Sequence, residues 1–146
     1  MKFTVAGHRA YAYTGGRPLQ AGSPLLVLVH GAQHDHSVWV MQSRYLAHHG
    51  YSMLALDLPG HGRSEGPPLE SIEELAAWVC AAVPAACAEA GLDDVPAAIV
   101  AGHSMGSLVA LETSALKPGW LKAVALIATA VPMRVSDTLL QAAATD

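Results

Sequence analysis

The chain has 146 residues, 52% of them hydrophobic, and a formal net charge of −4. That length suits about one domain, and the apolar share excludes a disordered chain. The acidic balance, with no Lys/Arg cluster, excludes nucleic acid as an expected partner; the longest apolar stretch, Ala123 to Met133, is too short to span a bilayer.

No apolar core follows Lys2, so no secretory signal is read at the start. Phe3, Val5, Tyr11 and Tyr13 alternate around Gly7, which predicts an antiparallel hairpin with His8 in its turn. Leu25 to Val29 (LLVLV) is a continuous apolar run, as expected of a strand buried on both faces. It halts at His30-Gly31-Ala32. His30, His34 and His36, with Asp35 between the last two, invite comparison with a zinc site. The aspartate sits inside the histidine pair and no further ligand set follows, so no metal is expected. Instead, Asp35, His36 and Ser37 lead into a helix over Ser37 to His49, with Ser37 as its cap and Trp39 near a pocket. His48 and His49 close that helix, where positive charge suits the carbonyl end.

Met53 to Asp57 (MLALD) predicts a second buried strand, ending at Leu58-Pro59-Gly60-His61-Gly62. Ser71, with Glu74 three residues on, opens a helix over Ser71 to Ala90 through a capping box; Pro84 is expected to kink or split it. Cys80 and Cys87 lie roughly 10 Å apart along that helix by its rise, beyond disulfide reach. They read as small buried hydrophobes of a cytoplasmic protein. Ala97 to Ala101 and Ala123 to Ala128 are the next strands, with a helix over Met105 to Leu116 between them. The final segment, from Pro132, starts an amphipathic helix with Val135, Leu139 and Leu140 on one side. Strand–helix alternation of this kind predicts an α/β fold, a mostly parallel sheet with helices on both faces.

Ser104 stands where the third buried strand gives way to a helix, in the frame Gly102-His103-Ser104-Met105-Gly106. In a parallel sheet ligands bind beyond the carboxyl ends of the strands. A tight, strained turn there lifts the hydroxyl clear of the sheet, and side chains at 102 and 106 would collide with neighbouring elements. Ser107 eases the packing of the following helix, whose amino end favours negative charge at the hydroxyl.

Three motifs resemble the α/β-hydrolase family: His30-Gly31-Ala32, then Asp57-Leu58-Pro59-Gly60-His61-Gly62-Arg63-Ser64, then Gly102 to Gly106. Their order is similar to the amino-terminal half of that fold, through its sixth strand. Residues 1–130 would be the amino-terminal part of the core and 131–146 the truncated start of a lid. The resemblance implies Ser104 as nucleophile, with the backbone N–H groups of Met105 and Ala32 as oxyanion hole. It also implies that His30, Gly31, Gly102, His103 and Gly106 shape the site, and that Asp57 is structural. No cofactor is implied.

A serine hydroxyl needs a base, and in the family's order both acid and histidine follow the serine. All eight histidines of this chain lie at or before position 103. His103 points away from its neighbour across the turn, and Asp137 falls in the start of the lid helix. Epoxide hydrolases and dehalogenases of similar sequence use a carboxylate nucleophile, which the serine disfavours. The expected activity of a full-length form is hydrolysis of an ester or related acyl bond of a small-molecule substrate through an acyl-enzyme; these 146 residues, a fragment lacking acid and histidine, are expected to be nearly inactive alone. The alternative is a non-catalytic remnant or binding module of the same fold. In either case Ala123 to Ala128 would be an uncovered sheet edge.

Overall fold

The computed structural model describes residues 1–145. Its elements are β1 (Lys2–Val5), β2 (His8–Tyr13), β3 (Leu25–Val29), a 3₁₀ turn (His36–Trp39), α1 (Val40–Ala47), β4 (Ser52–Asp57), α2 (Ile72–Glu89), β5 (Ala98–His103), α3 (Met105–Ala115), β6 (Leu121–Ile127) and α4 (Asp137–Thr145). The six strands form one sheet in the order β1-β2-β4-β3-β5-β6. β1, β2 and β4 pair antiparallel; β4, β3, β5 and β6 pair parallel.

Central position explains the unbroken apolar runs. Every residue of β4 is buried, and β3 is buried except at Leu26. Alternate residues serve opposite faces. Val27, Val29, Leu54, Leu56 and Val100 join the core beneath α2 and α3, whereas Leu28, Met53, Ala55 and Ala101 meet Trp39 and Ala47 on the α1 side. The two faces therefore need apolar residues at consecutive positions, which is why no alternation survives in the sequence.

The capping box at Ser71 is formed as expected: its hydroxyl accepts from Glu74 N–H at 3.1 Å, and the Glu74 carboxylate accepts from Ser71 N–H at 3.2 Å. Pro84 does not split α2, which runs continuously from Ile72 to Glu89. Leu75, Val79, Val83 and Cys87 are buried along one stripe, so packing outweighs the donor that the proline removes. Burial raises the pKa of both Cys80 and Cys87, which keeps the thiols unionised.

Three expectations require correction. His8 is the first residue of β2, paired with Val5, and the turn is Ala6-Gly7 with φ of 48° and 84°. The helix expected from Ser37 begins as a 3₁₀ turn, and α1 starts only at Val40. Its cap is Asp35, whose carboxylate accepts from Ser37 N–H at 2.7 Å, so Ser37 is the capped residue. These bonds also hold the Asp35 pKa below its usual value.

β6 lies at the sheet edge, with Leu126 and Ile127 exposed, and pairs with β5 alone. Val135, Leu139 and Leu140 around α4 are likewise exposed. No helix among the described residues is long and apolar enough to cross a membrane.

Candidate active site

Parallel register brings the ends of β3, β4, β5 and β6 to one edge of the sheet, with Val29 opposite both Leu56 and Gly102, and His103 opposite Ile127. Beyond this edge the chain turns at Ser104, with φ 54° and ψ −122°. That backbone conformation is costly for any residue with a Cβ and persists only where its surroundings enforce it. Here they do so from both sides. Ser104 N–H donates to the Ile127 carbonyl at 3.0 Å. The Ser104 carbonyl accepts from Ser107 N–H at 2.8 Å and from the Ser107 hydroxyl at 2.5 Å. The buried Ser107 is thus more than a small residue that eases packing; it is a tie on the turn.

Gly102 and Gly106 are required by space. A Cβ on Gly102 would overlap the Gly106 carbonyl and lie 2.6 Å from Ser107 N. One on Gly106 would overlap the Val29 carbonyl and lie 2.5 Å from that of His30. The Ser104 side chain makes no capping bond to α3, and the residue is half-buried. An ordinary helix cap would spend the hydroxyl on the helix amides. This turn leaves it available.

The loop after β3 passes directly beside the serine. A Cβ placed on Gly31 would meet the Ser104 Cβ and the His103 carbonyl, each at 3.4 Å. Ala32 follows Gly31 and is exposed; Met105 opens α3, where amides have no intrahelical partner. His30 is fully buried and its two ring nitrogens are used differently. Nδ1 donates to the Gly31 carbonyl at 2.8 Å, and Nε2 accepts from Leu58 N–H at 3.1 Å. Burial lowers its pKa, consistent with the neutral ring that this bonding requires.

The far end of the same loop meets Asp57, the last residue of β4, whose carboxylate is fully buried. It accepts from His36 N–H at 2.6 Å, from His36 Nδ1 at 2.9 Å and from Arg63 N–H at 2.8 Å. The Ser64 hydroxyl donates to the Asp57 carbonyl at 2.6 Å and accepts from Tyr11 N–H at 2.9 Å. Asp57 is therefore committed to holding two loops together. Asp35, His36 and Asp57 do bring ligand-type atoms within 4.8 Å of one another. The hydrogen bonds to Asp57 already occupy that carboxylate, and the arrangement is explained by them.

An open cleft of about 370 Å³ is lined by His34, Val38, Trp39, Gln42, His103 and Ile127, and reaches the serine turn through His103, the preceding residue, and Ile127, whose carbonyl holds the Ser104 N–H. Its walls are mostly apolar, and Trp39 borders the pocket as expected. Asp137 begins α4, away from any bond to the serine turn. Spacing along the sequence could not reveal the roles of His36 and Ser64, whereas Ser107, three residues after Ser104, lies in local reach of it. Each acts through a fold contact with a group brought near by strand pairing or helix geometry.

Residues 26–146 match the model of the alpha/beta hydrolase family. The chain is 37% identical over 129 residues to a dihydrolipoyllysine-residue acetyltransferase component of an acetoin cleaving system from Pseudomonas putida, covering 82% of this chain and 32% of that protein. It is 33% identical over 104 residues to a pimeloyl-[acyl-carrier protein] methyl ester esterase from Klebsiella pneumoniae, covering 71% of this chain and 36% of that one. Among solved structures, a bacterial membrane phospholipase A superimposes with a TM-score of 0.76 and 25% identity, over 100% of this chain and 45% of that chain. The chain thus spans about a third of the length of the curated relatives it matches. By the family model and by its sheet, the chain belongs to the alpha/beta hydrolase family.

Proposed function

We propose that this chain carries the nucleophile half of a serine hydrolase that cleaves ester or related acyl bonds through an acyl-enzyme. The observation that carries this reading is Ser104 at positive φ with its hydroxyl unspent on α3. Ser104 Oγ attacks the substrate carbonyl, and the Met105 and Ala32 amides receive the oxyanion. Amides fixed by the fold cost no reorganisation as charge develops, and one such donor contributes about 3 kcal/mol. The apolar cleft takes the acyl group. Gly31, His30, Gly102, His103 and Gly106 shape the corner. The esterase among the relatives supports an ester-type bond.

In this reading residues 1–130 are the amino-terminal part of the core and 131–146 the start of a lid. The efficient base and its acid come from chain outside these 146 residues. Two unbridged cysteines fit a reducing cytoplasm.

The test is fluorophosphonate labelling and hydrolysis of p-nitrophenyl esters by the protein translated with the coding sequence that follows codon 146. Wild type is expected to label and turn over, and Ser104→Ala to lose at least about a thousandfold in rate. Equal labelling of the two would remove Ser104 from the nucleophile role. A folded, extended protein inert in both assays would favour a binding module.

A further inference from the structure

Of the eight histidines, five have Nδ1 engaged: His30 with Gly31, His36 with Asp57, His48 with Arg17, His49 with Tyr45 and His61 with Pro59. His8 sits on β2 beside Gly66. His103 ends β5 and precedes the reversal of the chain. His34 differs from all of these. It is exposed, it lines the cleft, and its N–H donates to the Gly31 carbonyl at 3.3 Å in a turn that folds it back toward the serine. Its Nδ1 and the Ser104 Cβ both lie 3.4 Å from the position a Gly31 Cβ would occupy. The two atoms are therefore at most twice that distance apart, across a slot kept open by the missing side chain.

We propose that His34 is a proton acceptor for Ser104 within this chain, giving the 146 residues a slow acylation of their own. The inference rests on Ser104 being the nucleophile. As Oγ bonds to the acyl carbon, its proton passes to a free imidazole nitrogen of His34, directly or through one water. The leaving group departs with the electron pair of the broken bond. A base needs hydrogen-bond reach or a single bridging water, and apo geometry commonly tightens once substrate is bound. Among the described residues no carboxylate is bonded to His34, and the neighbouring Asp35 accepts from Ser37 N–H instead. The acceleration therefore falls at or below the lower end of general-base effects.

The experiment uses the 146-residue chain with an excess of a fluorophosphonate probe, following labelling over time. Wild type and His49→Ala are expected to label at one measurable rate, His34→Ala and His34→Gln at least about tenfold more slowly, and Ser104→Ala not at all. Added imidazole should accelerate His34→Ala by a larger factor than wild type, which a purely structural role for His34 would not produce. Wild-type speed in His34→Ala, or no labelling of wild type, overturns the assignment. If Ser104→Ala is silent while His34→Ala is unimpaired, only the base is wrong. If Ser104→Ala labels like wild type, the nucleophile itself is wrong.

Discussion

His36 is bound twice to Asp57: its backbone N–H reaches the buried carboxylate at 2.6 Å and its ring Nδ1 at 2.9 Å. The residues are 21 positions apart, and pairing of β3 with β4 brings them together. With His30 bonded to Leu58 at the other end, the loop from 30 to 36 is fastened at both ends to the close of β4, at Asp57 and Leu58. That loop carries Gly31 and Ala32 past the serine.

Asp57→Ala should therefore be costly. It leaves the N–H donors of His36 and Arg63 without their acceptor and empties a fully buried side-chain site. Removing one partner from such a network typically costs about 3 kcal/mol or more. Urea unfolding followed by tryptophan fluorescence checks this, and a loss below about 1 kcal/mol would contradict the assignment.

Gly106→Ala adds one methyl group against the Val29 carbonyl, at the end of the central strand β3, and the His30 carbonyl just after it, neither of which can step aside. The backbone at the serine turn must move instead. Overpacking of this kind costs about 1–3 kcal/mol. In the extended protein, Ser104 labelling by a fluorophosphonate should fall by more than the loss of folded material explains. Unchanged labelling would mean that the corner tolerates displacement.

His30 makes stability depend on pH. Burial lowers its folded pKa below the ordinary 6.5 that it regains on unfolding. The unfolded chain therefore binds the proton more readily, so this contribution is fully present above 6.5 and is lost as pH falls from there toward the folded value. Urea midpoints should drop between pH 7.5 and 5.5. His30→Gln should be less stable at neutral pH and should show a shallower drop. Parallel pH profiles for the two proteins would exclude His30 as the source.

The architecture was legible because its determinants are local. Apolar runs of strand length marked β3, β4, β5 and β6, the capping box marked α2, and the glycines around Ser104 marked the turn. Misreadings arose where tertiary contacts decide. Ser37 and Asp35 are both competent caps, and the choice depends on how the chain leaves β3. Pro84 is tolerated because the buried stripe of α2 holds the helix through it. His8 could occupy a turn or a strand, and pairing with Val5 selects the strand. The site was partly legible: its motifs are contiguous, but the Asp57–His36 clasp and the His34–Ser104 slot join separate segments. No spacing rule encodes those meetings.

The serine turn hangs by its amide from the Ile127 carbonyl, at the last residue of β6. Ser107 holds the carbonyl side of the turn, but the rigidity of its amide side is thus borrowed from the least buried strand of the sheet. Fraying at that tip would reach the hydroxyl through a single hydrogen bond. Whatever stiffens or loosens residue 127 would consequently act as a volume control on the reactivity of residue 104.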